Sequence, residues 1–484
     1  MTARYPGMRP IWLAVAGSAG ALGLIFGAGP ALANVTVTGI SSDPFTNSTS
    51  QHAAEVEPDI FAVGSTLVAA VQQGRFTDGG ASDTGFATST NGGSTWTSSS
   101  LPGLTKLFQN GTYDRVSDPA VAFDAKHSTW LVAGLAIKST SGVLGAAVTV
   151  NRSTDGGLTW GNAVNVVVAS GRSNLDKDWI VCDDNSASAH FGNCYAEYDD
   201  NGNNNRIFMA TSSNGGQTWS TVQTSATGLG GQPLVQPSGT VVVPYESNSG
   251  QIRSIQSTNG GSTWSSPATI ATVQFHTVAG NLRTSPLPSA AIDSSGKVYV
   301  TWEDCRFQSG CTGNDIVMST STNGTSWSAV SRITSNGGDH FIPGIGIDQT
   351  TSGASAKIGV AYYYYPTSNC TASTCQLDVG YVSSTNGGST WSAPTQLAGP
   401  MTLSWLASTT QGVMVGDYMA TAVSGGVAWP AMVIASAPTG STFNEALFVP
   451  AGGLAITGGA LSSVATVVVT SGHRPAVNGK NHLR

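Results

Sequence analysis

One eight-residue turn, repeated along the chain, limits the possible folds more than any other feature. Ser89-Thr-Asn91-Gly-Gly93-Ser-Thr95-Trp96 recurs at Ser153–Trp160, Ser212–Trp219, Ser257–Trp264 and Ser384–Trp391, and a copy one residue shorter lies at Ser321–Trp327. Successive tryptophans are 64, 59, 45, 63 and 64 residues apart. A self-similar period of this size marks a repeat architecture whose unit is a small supersecondary element. The chemistry of the turn is local. A short Asn or Asp side chain can accept from backbone N–H groups further along, and paired glycines take positive φ without a Cβ penalty. The Trp buries a large face while its indole N–H needs a partner.

A second series runs in step with the turns. Polar residues precede short apolar runs at Glu57-Pro58-Asp59-Ile60, Ser117-Asp118-Pro119-Ala120-Val121, Asp176-Lys177-Asp178-Trp179-Ile180 and Gly231-Gln232-Pro233-Leu234-Val235. It continues at Thr284-Ser285-Pro286-Leu287-Pro288, His340-Phe341-Ile342-Pro343-Gly344 and Gly416-Asp417-Tyr418-Met419. In the first six cases two further strand-like runs follow, and then the turn. The seventh has Val427–Ala435 and Phe443–Val449 after it but no turn, and Val35–Ile40 could supply its missing outer strand. The expectation is therefore an all-β chain, a single β-propeller of four-stranded blades, with seven blades favoured and six as the alternative. Joining the two chain ends in one blade removes exposed sheet edges.

The ends divide from this body. Residues 1–33 read as a secretion signal peptide: Arg4 and Arg9 flank an apolar stretch from Ile11 to Phe26, and Ala31-Leu32-Ala33 fits a cleavage site. Residues 34–450 form the propeller with its six turns, and 451–484 a C-terminal strand and tail. A secreted, extracellular location follows, with no stable membrane insertion once the signal is cleaved. The six cysteines fall into close pairs, Cys182 with Cys194, Cys305 with Cys311 and Cys370 with Cys375, each bracketing a loop between strand-like runs. Local disulfides suit an oxidising compartment better than zinc, since no Cys-x-x-Cys or His-x-x-x-His spacing occurs. Only 10% of residues are charged and the net charge is −7. A charge-poor, acidic chain lacks the basic footprint that nucleic acid requires.

If the innermost strand comes first in each blade, its start and the second-to-third loop share one face, and the repeated turn lies on the other. Glu55, Glu57, Asp114, Arg115, Asp118, Asp176, Asp178, Gln232, Arg283, His340, Asp417 and Tyr418 then converge on the central mouth. The second-to-third loops add Arg75, Asp78, Glu246, Glu303, Asp304, Arg306 and Asp315. Four arginines on one face (Arg75, Arg115, Arg283, Arg306) suit a ligand carboxylate, because guanidinium pairs with it bidentately. The plain alternative is that these acids and arginines pair with one another and cap strand starts. No cofactor is expected. Ca²⁺ is the one metal for which a stretch is rich enough in oxygen, at Asp199-Asp200-Asn201, a segment that also suits a solvated hairpin.

The repeated turns resemble the Asp-boxes of sialidases and of the wider bacterial neuraminidase-repeat (BNR) family. Ser117-Asp118-Pro119, Asp176-Lys177-Asp178-Trp179, Trp302-Glu303-Asp304-Cys305-Arg306 and Gly416-Asp417-Tyr418 look like the rim motifs of secreted sialidase-like proteins. The resemblance implies a six-bladed propeller, three arginines on a substrate carboxylate, a Tyr–Glu nucleophile pair and an Asp acid/base. Arg115, Arg283 and Arg306 stand in for the arginines, with Asp417 and His340 beside them. Tyr418 stands in for the nucleophile, partnered by Glu246 or Glu303, and Asp118 or Asp178 for the acid. The Arg-Ile-Pro segment that carries the family's first arginine is missing. The implied function is a secreted sialidase-like glycoside hydrolase acting on acidic extracellular glycans. Two alternatives remain: a non-catalytic propeller that binds a glycan or protein, and a polysaccharide lyase using His276 or His340 with Tyr418.

Overall fold

The computed structural model describes residues 35–139, 142–458 and 461–462. The proposed signal peptide at 1–33 and most of the C-terminal tail lie outside them. The described chain is all-β, with only short 3₁₀ turns between strands.

Strands pair in antiparallel sets that follow the sequence period. The first set is Glu55–Val63, Thr66–Arg75, Ala81–Ser89 and Thr97–Ser100. The second is Arg115–Asp124, Thr129–Lys138, Leu144–Ser153 and Val164–Val168. The third (Leu175–Cys182, Cys194–Asp200, Arg206–Ser212, Ser220–Leu229) and fourth (Leu234–Val235, Val241–Ser247, Gln251–Ser257, Ala268–Thr272) repeat the order. So do the fifth (Ser289–Ile292, Val298–Asp304, Asp315–Ser321, Ser331–Arg332) and sixth (Asp339–Ile347, Ile358–Tyr365, Gln376–Ser384, Thr395–Thr402). In the seventh, Ala420–Ser424, Val427–Ala435 and Glu445–Pro450 are completed by Val37–Gly39, with Thr38 opposite Val449.

The apolar core lies between the sets. Val68 and Phe86 pack on Val121 and Trp130, joining sets one and two. Equivalent clusters join each set to the next. The last one closes the series: Trp429, Ala431 and Leu447 of the seventh set pack on Ile60, Leu67 and Val71 of the first. A cavity of about 580 Å³ is lined by the first strands of all seven sets, including Ile60, Val121, Ile180, Leu234, Ala291, Ile345 and Ala422.

The repeated turns form as their residues dictate. Ser89 Oγ accepts from Gly93 N at 2.9 Å, Asn91 Oδ1 accepts from Thr95 N at 3.0 Å, and the Trp96 indole donates to Gly93 O at 3.1 Å. The turn at Ser153–Trp160 repeats all three bonds, with Asp155 in the Asn position. In the short copy the Trp327 indole instead donates to Ser254 Oγ of the preceding set. All three cysteine pairs are disulfides. Where the seventh set has no turn motif, Leu454–Ala455 pairs with Val427–Ala428 and Leu461–Ser462 with Thr390–Trp391.

Candidate functional site

A repeated irregularity builds the centre of the molecule. The first strand slips register between Val56 and Asp59, between Ser117 and Ala120, and between Asp176 and Trp179. Each slip is a β-bulge, which leaves one residue unpaired and turns its side chain away from the sheet. In the first two, Pro58 and Pro119 lie in the slipped segment and have no N–H to lose from the ladder. The residues at the slips are Glu57, Asp118 and Lys177, with φ of 57°, 51° and 40°. Such left-handed geometry at a non-glycine residue costs about 1–3 kcal/mol and persists only where the surroundings impose it.

These three strained residues meet. Lys177 Nζ lies 2.9 Å from Asp118 Oδ1, 2.7 Å from Asp417 Oδ2 and 3.8 Å from Glu57 Oε1. Asp417 also takes the Arg283 guanidinium. Two backbone contacts place that pair. Arg283 N donates to Val413 O at 2.8 Å, so the two loops run side by side, and Gly416, at φ 150°, packs on the Glu57 backbone where a Cβ would collide. Glu57 accepts from Gln72, which in turn accepts from Arg75 at 2.8 Å. Glu57, Asp118 and Asp417 thus face Lys177, Arg283 and Arg75, and all six are buried.

Burial opposes the charge on Lys177, yet Asp118, Asp417 and Glu57 together hold its pKa well above the ordinary lysine value. Arg283 behaves alike: burial opposes its charge, and Asp417 and Glu57 outweigh it. Arg75 goes the other way, lowered by burial and by Arg283 nearby. Tyr418 lies against the cluster, its ring 5.6 Å from Lys177 Nζ and edge-on to Trp179 at 5.1 Å. Its hydroxyl donates to Pro119 O at 3.1 Å. Burial, then Glu57, Asp118 and Asp178, raise its pKa well above the usual phenol value.

Asp178 differs from Asp118 and Asp417, and shares its state with the buried, unpartnered carboxyls of Glu197 and Asp199. It is buried, and neither carboxylate oxygen has a hydrogen-bond partner among the described residues. Burial, followed by the charges of Asp118 and Glu197, pushes its pKa well above the carboxylate range. Its environment thus favours the protonated, uncharged form.

The remaining sequence candidates are distributed around this centre. Arg115 sits on the outer rim, its guanidinium 4.0 Å over Phe76 and 2.5 Å from Asp78 Oδ1. Arg306 is paired with Asp304 and donates to Thr272 O at 2.6 Å. Glu303 Oε2 accepts from Ile342 N at 2.7 Å and so ties the fifth set to the sixth. Asp59 Oδ2 does the same for Val121 N at 2.6 Å, and Gln232 Oε1 for Ala290 N at 2.8 Å. His340 is fully buried, with Nδ1 3.1 Å from Asn314 O and Nε2 3.1 Å from Asn336 Oδ1. Burial lowers its pKa to about 4, so this ring is an uncharged, enclosed group and not part of an open rim. In the oxygen-rich stretch, Asp200 Oδ1 accepts from Asn174 N and Gly202 N and caps a 3₁₀ turn, while Asp199 is buried. Among the described residues, the one group spaced for a metal is Asp124 with Cys182 and Cys194, whose sulfurs form a disulfide.

Lys177, the hub, was assigned no role in the sequence reading. The available signal was a lysine between two aspartates where the first two strand sets carry an acid, Glu57 and Asp118. The arginine count drew attention instead to Arg115, which lies outside the cluster.

Residues 65–292 match the model of the BNR repeat-like domain. No curated protein matches the chain by sequence. Among solved structures, an intramolecular trans-sialidase from Ruminococcus gnavus aligns at 14% identity and TM-score 0.45, covering 67% of this chain and 93% of that one. A protein of unknown function from Dyadobacter fermentans aligns at 15% and 0.47, covering 72% and 98%. Trypanosoma rangeli sialidase aligns at 14% and 0.42, covering 69% and 56%. Among the described residues no helix is long and apolar enough to cross a membrane. Residues 65–292 therefore carry a BNR repeat-like domain, and with the six repeated turns this supports a sialidase-like BNR-repeat, or Asp-box, family for the chain.

Proposed function

We propose that the chain is a secreted sialidase-like glycoside hydrolase acting on acidic extracellular glycans, and that its strand sets are the seven four-stranded blades of one propeller. The blade reading is supported by the closed run of inter-set cores and by the cavity lined by seven first strands. The single observation that carries the catalytic reading is Asp178: a buried carboxyl with no hydrogen-bond partner among the described residues, its pKa raised by burial and by Asp118, beside a strained cluster of charges. Hydrolysis of a glycoside needs such a group to protonate the leaving oxygen, and environments that raise a carboxyl pKa are how one is made at neutral pH. Lys177 and Arg283 are the cations for a substrate carboxylate, which would compete with Asp417 for them. No cofactor takes part in this reading.

The test is a panel of fluorogenic glycosides, sialosides included, offered to the mature protein and to Asp178→Asn. Turnover of an acidic glycoside that falls by at least about a hundredfold in the variant is expected, the usual scale for a lost general acid. Undiminished turnover in Asp178→Asn, or no turnover of any glycoside, overturns it. Ultraviolet absorbance from an unsaturated product would mark a lyase instead.

A second reading, a propeller that binds glycan without cleaving it, is favoured by one observation. The Tyr418 hydroxyl is engaged by Pro119 O and its pKa is raised, the wrong direction for a nucleophile. A glycan array in which the protein binds acidic glycans that it never hydrolyses would select this reading.

A further inference from the structure

The cavity between the first strands takes no part in the chemistry proposed above. Its volume, about 580 Å³, is that of a pocket for a small molecule. The six clustered charged residues do not line it, but Asp59, Trp179 and Met419 do, each two positions beyond a member of the cluster. The buried ion cluster therefore stands at one end of the cavity. The other end reaches Pro237, Ser294 and Gln349, all exposed, in the hairpins that lead from first to second strands. Those hairpins lie beside the repeated turns: Gly92 N donates to Ser65 O at 2.8 Å, and Gly387 N to Ala356 O at 3.0 Å. The cavity thus opens on the face away from the polar strand starts.

The opening is held by bonds from set to set. Asn185 Nδ2 donates to Pro237 O at 2.7 Å, Gln236 Nε2 to Gly296 O at 2.6 Å, and Ser294 N to Thr351 O at 3.2 Å. A ligand need not order a rim built in this way, which removes part of the usual cost of binding. The walls are apolar. Val181, Leu234, Val235, Ile292 and Val423 line the cavity and are only half-buried, although they stand on innermost strands. Contiguous apolar surface left open is a mark of a binding site.

The polar groups around this space select the charge of what enters it. Among the described residues no Lys, Arg or His lines the cavity. Its outer acids are engaged by backbone N–H groups: Asp183 by Asn185 at 3.2 Å, Asp184 by Ala125 at 2.7 Å and Asp293 by Lys297 at 3.0 Å. At the inner end Asp59 accepts from Val121 N, and burial raises its pKa to about 7. An anion would meet only carboxyl groups and apolar wall, without a cation to offset its desolvation. One directed donor is present. Gln232 is fixed by the bond from Ala290 N to its Oε1, and its Nε2, bonded to no described residue, is left for a ligand.

We infer that this cavity binds an uncharged, largely apolar small molecule that carries a carbonyl acceptor for Gln232. The same groups exclude acidic glycans, so the inference stands apart from the proposed hydrolase function and does not depend on turnover.

The test is fluorescence titration of the full mature protein with prodan, a neutral naphthyl ketone whose emission shifts in apolar surroundings. Saturable binding at a single site is expected. Acetylnaphthalene should displace the dye. Ethylnaphthalene should do so about threefold more weakly for lack of the acceptor, and naphthoate at least about tenfold more weakly because of its charge. Ala290→Phe and Ala420→Phe narrow the cavity from the fifth and the seventh sets, and each should abolish binding while melting stays cooperative. Absence of saturable binding by the native chain overturns the inference without recourse to any variant. So does displacement by naphthoate or ethylnaphthalene as strong as by the ketone, or undiminished binding in either filled variant.

Discussion

Lys177 Nζ lies 2.7 Å from Oδ2 of Asp417, a residue 240 positions further along the chain. One ammonium thereby links the first strand of the third set to the loop entering the seventh, with Asp118 of the second set and Glu57 of the first on its other sides. A buried ion network is seldom the most stable way to fill a core, but removing one partner strands the others without compensation. Collecting these charges by means of three strained backbone positions is the strongest sign that the axis does more than pack.

Lys177→Met should therefore destabilise the protein by about 3–5 kcal/mol, leaving three carboxylates facing one another. Asp118→Asn in the same chain should recover part of that loss. A denaturant-unfolding cycle over the two single variants and the double checks this, and additive effects would show that the pair is not coupled.

Arg115→Ala should cost no more than about 1 kcal/mol, because its ion pair is with the mostly exposed Asp78. Turnover should persist in that variant and be lost in Arg283→Ala, whose guanidinium belongs to the buried cluster. Equal loss of activity in both would place the substrate on the outer rim instead.

The two glycines of a turn should respond differently. Gly92, at φ 66°, has open space where a Cβ would go, so Gly92→Ala should cost about 1 kcal/mol of left-handed strain alone. Gly93 sits directly against the Trp429 ring of the seventh set. Gly93→Ala adds a collision at the closure between first and last sets, and its melting temperature should fall several degrees further.

Stability should rise as pH falls from about 8 to about 5, the reverse of ordinary acid denaturation. Burial raises Asp59 and Glu55 to about 7 and Asp83 to about 8. Below those values the folded state holds protons that an unfolded carboxyl, titrating near 4, has already released, so folding takes up protons in this window. Asp59→Asn keeps the acceptor for Val121 N and cannot ionise, so it should flatten the profile. Melting temperatures across the range, for the native chain and this variant, measure the effect.

Much of the architecture could be read directly. The Ser-x-Asn/Asp-Gly-Gly-x-Thr-Trp turn works through bonds within eight residues, so its geometry is recoverable from the string, including the weaker fit of the short copy at Ser321–Trp327. The polar starts of the first strands also mark real register slips at Glu57, Asp118 and Lys177. What each polar residue faces was not legible. Glu303 and Gln232 looked like rim residues, yet each accepts a backbone N–H from the next set. His340 looked like a rim base and is enclosed by Asn314, Asn336 and Tyr364.

The sequence by itself determined what depends on neighbours along the chain: the turns, the period, the close cysteine pairs, and an N-terminal strand that pairs with Phe448–Pro450 at the far end. Only the tertiary structure decided which of the polar residues meet. In the first three sets a bulge sends one charged side chain into the cluster, and its partners come from segments whose separation in sequence carries no trace of their distance in space. Lys177 became the hub for that reason, and Asp178, one residue on, was left buried without a hydrogen-bond partner among the described residues.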